Sequence, residues 1–232
     1  MRIVLKLSGE ALAGSKGTGY DETVVRVIAK QVKQLLDKGH QVGIVTGGGN
    51  FWRGAKNNEI DRSKADQMGM LATVMNCIYV SEIFRGEGMD TEIFTSFACG
   101  TFTKPFSKDE AVKCLKRQQI VFFAGGTGHP YFSTDTGVVL RAIETDADLI
   151  LMAKSVDGIY DSDPNVNPNA KRYTTITYDE IIAKNLQAID ATAAVLARDN
   201  AMNMRIFDLN EPDGIVNAVS FSETNTGTTV TA

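Results

Sequence analysis

The chain has 232 residues, 43% apolar and 22% charged, enough to bury a real core in one generous α/β domain or two small ones. A formal net charge of −4 and an isoelectric point near 5.3 speak against a general nucleic-acid or anionic-membrane surface, and leave room for a local basic pocket. Cys77, Cys99 and Cys114 are odd in number and lack CxxC spacing. That argues against a disulfide framework or a zinc site and fits small buried side chains in a reducing, cytoplasmic setting.

The opening "MRIVLKLSGEAL" is too short in its apolar run for a signal peptide or a membrane span, so the chain is expected to begin at its first strand, residues 3–7. A helix follows over "DETVVRVIAKQVKQLLDKG", with Asp21 as N-cap and Gly39 as its stop. "QVGIVT" is a second strand that runs into "GGGN". Over residues 63–84, Met68, Leu71, Met75, Ile78 and Ile83 keep roughly helical spacing. "DTEIFT" (strand), "KDEAVKCLKRQ" (helix) and "IVFFAGG" (strand) come next, then a helix near 136–145 and the strand "DLILMA". "DGIYDSDPNVNPNAKRYT" reads as a loop or hairpin. The chain closes with a helix in "AIDATAAVLARDNA", the strand "MRIFDL", a short helix in "EPDGIVNAVS" and a last strand, "GTTVT". This alternation predicts one domain over 1–232, with a mainly parallel sheet covered on both faces.

Three strands end in glycine-bearing turns: "KLSGEAL", "TGGGNFWRG" and "GGTGHPYFSTDTG". Glycine at the carboxyl end of a parallel strand lets backbone N–H groups approach an anion, and a helix N-terminus adds a favourable dipole. One such turn means little, because short turns need glycine anyway; three in one domain favour phosphate binding. Neither GxxxxGK[ST] nor a GxGxxG after a strand is present, so the arrangement is neither a P-loop nor a dinucleotide fingerprint.

Lys6 is either an edge residue with its ammonium in water or a phosphate-directed lysine, and the glycine turn just beyond it favours the second. Arg53 reads as a solvated loop residue or a bidentate phosphate clamp. Trp52 is expected to pack rather than to bind. Two histidines, His40 and His129, are too few for a His-rich metal site. Asp66, Asp135, Asp148, Asp157, Asp163 and Asp190 stand near strand ends, loops or helix starts. Asp135 and Asp190 could be plain N-caps, and Asp190 could instead hold a catalytic lysine.

"KLSGEAL", "GGGNFWRG", "ADQMGMLATVMN", "GTGHPYFSTDT", "VDGIYDSDP" and "IDATAAVLARDN", in that order, resemble the UMP kinases of the amino-acid-kinase superfamily over nearly the whole chain. The resemblance implies a three-layer α/β/α sandwich around a mainly parallel sheet. It implies transfer of the γ-phosphoryl group of ATP, with Mg²⁺, to UMP, a step of pyrimidine nucleotide biosynthesis. A homohexamer, feedback inhibition by UTP and activation by GTP are implied as well, with no nucleic-acid or membrane partner.

Carried over by residue, Lys6, Leu7, Ser8 and Gly9 match the segment on the ATP phosphates. Gly48 matches a contact to the UMP phosphate, and Gly49 and Arg53 line the phosphate site. Asp66 matches the acid that holds the ribose. Thr127, Gly128, His129, Pro130, Tyr131, Phe132, Ser133 and Thr134 match the loop around the uracil and the UMP phosphate, with Tyr131 and Phe132 packed beneath it. Tyr160 and Asp163 match residues around the adenosine, and Lys154 stands where a threonine contact to ATP is usual. Lys6, Arg53 and Asp190 would form the catalytic set, with Asp190 orienting Lys6; no metal ligand is assigned. Two rivals are a same-fold kinase of carbamate or a small carboxylate and a catalytically silent nucleotide sensor, though a sensor need not retain Lys6, Arg53 and Asp190.

Overall fold

In the computed structural model, which describes residues 1–53, 59–164, 166–220 and 227–232, the first apolar run forms β1 (Arg2–Leu7), buried along nearly its whole length. The following elements are α1 (Gly9–Ala13), α2 (Glu22–Asp37), β2 (Gln41–Thr46), α3 (Arg62–Gly86), β3 (Thr91–Thr95), β4 (Lys104–Pro105), α4 (Lys108–Lys116), β5 (Ile120–Ala124) and α5 (Thr134–Glu144). Then come β6 (Leu149–Lys154), β7 (Ile159–Tyr160), β8 (Arg172–Tyr173), β9 (Thr175–Thr177), α6 (Tyr178–Ala183), α7 (Ala191–Asp199), β10 (Met204–Asp208), α8 (Gly214–Val219) and β11 (Thr228–Thr231).

Among the described residues, nine strands form one sheet in the order β4-β3-β5-β2-β1-β6-β10-β11-β9. Every pairing in it is parallel except β10 with β11. A parallel sheet needs cover on both faces, and the strands alternate between two cores. Ile3, Leu5 and Leu7 of β1 join one core with α2, α3 and α8; Val4 joins the other with α4, α5, α6 and α7. The result is the expected three-layer sandwich. β1 and β2 lie in its middle, with Lys6 opposite Val45 on one side and Met152 on the other.

Local chemistry sets the boundaries. The Asp21 carboxylate accepts the Thr23 N–H and starts α2, and Gly39, with φ +80°, follows its end. The stretch read as a loop or hairpin contains the two-stranded β7–β8 ribbon. The start of α6 is a capping box between Thr177 and Glu180. α1, α6, β4 and β9 were not expected; each is too short to show a period.

The helical spacing over 63–84 is correct, but its large apolar residues face outward: Met68, Leu71, Met75 and Ile78 are 42, 51, 49 and 36% exposed. The inward face carries Ala65, Ala72, Thr73, Asn76, Cys77 and Ser81, with Val80 and Phe84 towards its end. Cys77 and Cys114 are buried, and Cys99 is partly so. No helix among the described residues is long and apolar enough to cross a membrane.

Candidate active site

Side chains alternate across a strand, so Lys6 points to the same side as Val4, towards α5. Lys154, at the end of the adjacent β6, shares that side with Ile150 and Met152. The first turn of α5 brings Asp135 between them. Lys6 Nζ lies 3.0 Å from one carboxylate oxygen and Lys154 Nζ 3.3 Å from the other. Burial pushes the Asp135 carboxyl up, but the two ammonium groups outweigh it and hold the group below its ordinary value. Burial lowers Lys154, against the pull of Asp135 and with the help of Lys6. Two lysines on one carboxylate, with Asp190 nearby also acting on Lys154, make a buried cationic cluster that suits a polyphosphate.

Lys6, Lys154, Ser8 and Gly9 line a 740 Å³ cleft at the carboxyl edge of the sheet, with Gly48, Gly49, Arg53, Asp66, Thr127, His129, Phe132, Ser133 and Thr134. The turns after β1 and β2 meet backbone to backbone. A Cβ on Gly9 would come within 2.5 Å of the Gly49 nitrogen and 2.7 Å of the Asn50 nitrogen, so no other residue fits there. Ser8 caps α1 by accepting the Ala11 N–H. Arg53 at the mouth is paired with Glu10 of α1, and would have to exchange that partner to clamp a phosphate. Trp52 is also in the cleft wall, its indole N–H donating to the Ala65 carbonyl at 2.8 Å, so the expectation of simple packing is corrected.

The third glycine segment closes the opposite side. Asp66 on α3 receives the Arg62 guanidinium at 2.9 Å and the Tyr131 backbone N–H at 2.8 Å. Tyr131 has φ +71°, a strained conformation for an aromatic residue, and the bond to Asp66 helps hold it there. Tyr131 and Phe132 are 68 and 51% exposed, so they do not pack beneath the loop. Tyr131 lies under the Arg62 guanidinium and Phe132 lines the cleft.

Other expected site residues fall elsewhere. Leu7 is in the core, touching the site only through its backbone. Gly128, Pro130 and Tyr131 belong to the loop without lining the cleft. Tyr160 lies on β7, its hydroxyl donating to Asp157 at 2.7 Å, and Asp163 lies in the loop beyond; neither lines the cleft. Asp190 does not orient Lys6. It caps α7, accepting the Ala193 N–H at 2.8 Å, and receives the hydroxyls of Ser133 and Thr136. Asp190 therefore fixes the start of α5, and Asp135 on that start orients the lysine. Asp135 was legible only as an N-cap candidate, although the shared parity of Lys6 and Lys154 on neighbouring strands was available as a signal.

Among the described residues no cluster of three acidic, histidine or cysteine groups could cage a metal, and both Asp135 oxygens are engaged by lysines. The described side chains thus build no Mg²⁺ cage of their own. An ion entering on ATP would take its ligands from phosphate and water.

A parallel sheet whose carboxyl edge carries glycine turns and two lysines on one buried carboxylate defines an α/β protein made to handle phosphoryl groups. More particularly, the chain belongs to the amino acid kinase family, whose family model matches residues 1–208. Its structure is similar to that of UMP kinase from Ureaplasma parvum, with a TM-score of 0.93 and 37% identity over 100% of this chain and 98% of that one. UMP kinase from Bacillus anthracis is similar too, with a TM-score of 0.93 and 35% identity over 99% and 95% of the two chains.

Proposed function

We propose that this chain, as a single domain over residues 1–232, transfers the γ-phosphoryl group of ATP to UMP, giving ADP and UDP. The observation that carries the reading is the Lys6–Asp135–Lys154 cluster at the cleft floor, with Asp66 and the 125–134 loop opposite to receive the acceptor. Likeness over the full chain to two UMP kinases supports the acceptor's identity.

A UMP phosphate is already an ionised nucleophile, so the reaction needs no general base. The protein supplies position and opposing charge. Lys6 and Lys154 neutralise charge on the transferring group, the glycine turns offer backbone N–H groups, and Arg53 leaves Glu10 for the acceptor phosphate. Mg²⁺, when bound with ATP, adds further charge neutralisation on the phosphates. Tyr160 and Asp163 are assigned to the adenosine side by resemblance. A cleft that takes both a uridine and a phosphate chain also suits UTP as a competing inhibitor.

The outward apolar face of α3 supports self-association, consistent with the proposed hexamer: a helix apolar on both sides is normally covered on both. The first experiment is ADP formation from ATP and Mg²⁺ against UMP, CMP, dUMP, carbamate and acetylglutamate. Strong turnover with UMP is expected. Turnover only on carbamate or acetylglutamate would leave the family right and the acceptor wrong, and no turnover with UTP still binding would favour a silent sensor.

A further inference from the structure

"GMLATVMN", residues 69–76, includes two residues, Thr73 and Asn76, to which nothing above gives a role. Both are polar and essentially fully buried, at 2 and 0% exposed. Buried polar groups on a helix face are costly unless satisfied, and what satisfies these is informative. The Thr73 hydroxyl donates to Met70 O at 2.7 Å and accepts the Gly125 backbone N–H at 2.8 Å. Asn76 Nδ2 donates to the Gly47 carbonyl at 2.6 Å and to Asn50 Oδ1 at 2.8 Å, and Asn50 Nδ2 returns a bond to Asn76 Oδ1 at 3.1 Å.

Gly47 and Asn50 bracket the turn after β2, and Gly125 opens the loop after β5. The far part of that loop is tied to the same helix through Tyr131 N–H and Asp66. Asp66, Thr73 and Asn76 are seven and then three residues apart, so they lie along one stripe of α3. Gly48 packs directly on that stripe: a Cβ there would come within 2.7 Å of the Gly69 carbonyl. One helix face therefore holds both glycine segments that bound the acceptor half of the cleft; Thr73 bonds only the Gly125 side, whereas Asn50, the partner of Asn76, also packs against Gly9.

We infer that Thr73 and Asn76 are positioning residues for the acceptor nucleotide: Asn76 from outside the cleft and Thr73 from its buried wall set the distance between the Gly47–Asn50 turn and the 125–131 loop, and so tune UMP binding through the segments they hold. The inference rests on UMP as the acceptor. It also accounts for two polar side chains, Thr73 and Asn76, set among Ala72, Val74 and Cys77 on the mainly apolar inward face of α3.

The test is steady-state kinetics in both substrates for the wild type, Thr73→Val, Thr73→Ser, Thr73→Ala and Asn76→Ala, with melting temperatures for each. Wild-type turnover on UMP establishes the acceptor first, so failure of that reading is seen separately. Thr73→Val removes the hydroxyl at nearly constant shape, and one hydrogen bond lost from a positioned segment corresponds to a rise in KM for UMP of about tenfold. In the Thr73 variants KM for ATP should stay within about twofold, since the Thr73 hydroxyl bonds only Met70 and Gly125. Thr73→Ser restores the acceptor and should restore KM. Thr73→Ala, which adds no methyl group, gives the same reading if Val distorts the fold, and Asn76→Ala should raise KM for UMP in the same sense.

Ser81→Ala is the control. Ser81 lies on the same helix but away from the cleft lining, its buried hydroxyl bonds Thr91 of β3 at 2.7 Å, and its loss should lower the melting temperature with KM for UMP unmoved. An unchanged KM for UMP in the foldable Thr73 variants, no rescue by Ser, or equal rises in both KM values that follow melting temperature in every variant including Ser81→Ala would overturn the inference.

Discussion

Replacing Asp135 by Asn tests the charge cluster directly. The carboxylate lies 3.0 and 3.3 Å from two ammonium groups, and the side chains of Lys6, Asp135 and Lys154 are only 9, 13 and 23% exposed. Removing one partner from a buried ion pair costs about 3–5 kcal/mol, because the charge left behind has no compensation. Here two like charges are left behind, while the Asn carbonyl still accepts one hydrogen bond, so about 4 kcal/mol is a reasonable figure. For a chain of this size each kcal/mol moves the melting temperature by about 2–4 °C, giving a fall of about 8–16 °C. ATP should narrow the gap, since its phosphates return negative charge to the two lysines. Thermal unfolding followed by circular dichroism, with and without ATP, reads both effects. An Asp135→Asn melting temperature within about 2 °C of wild type would refute the claim that this carboxylate balances buried charge.

Because the folded Asp135 carboxyl sits below its ordinary value of 3.8, its contribution is complete above that pH and is lost as pH falls through the lower folded value. The stability gap between wild type and Asp135→Asn, measured by urea denaturation, should be flat down to the ordinary carboxylate value and shrink below it; a gap already closing at neutral pH contradicts this. Lys6→Ala should lower turnover by about 10²–10³-fold, the loss expected for one positioned charge-stabilising donor, with an unchanged far-ultraviolet spectrum. Gly9→Ala should abolish activity and cost about 1–3 kcal/mol in denaturant titration, since its Cβ would meet backbone atoms that cannot swing aside. Met75→Lys on the outward face of α3 should shift the proposed hexamer to smaller species in sedimentation velocity while the chain stays folded.

The layered architecture was readable because the strands are continuous apolar runs and the longer helices carry caps, as Asp21 and Gly39 do for α2. The glycine turns were readable for the same local reason. What was hidden depends on pairings distant in the chain. Lys6 and Asp135 are 129 positions apart, and only the crossover from β5 through α5 to β6 brings them together. Asp190 took the N-cap alternative and not the lysine one, and an N-cap aspartate looks the same in sequence whether it faces a lysine or two hydroxyls. The α3 stripe misleads for a different reason: periodicity reveals a helix but not which side is covered when both sides carry apolar residues. Lys154 was harder to read, since the resemblance puts a threonine there and only strand parity places its ammonium beside Lys6.

Trp52 is the sole tryptophan of the chain, half-buried in the cleft wall with its indole N–H fixed to the Ala65 carbonyl. Its surroundings change whenever the cleft fills or Arg53 next to it changes partner. The protein thus contains its own optical reporter. The emission of one native side chain can follow nucleotide arrival in stopped flow, with no label attached and no second indole to separate from the signal.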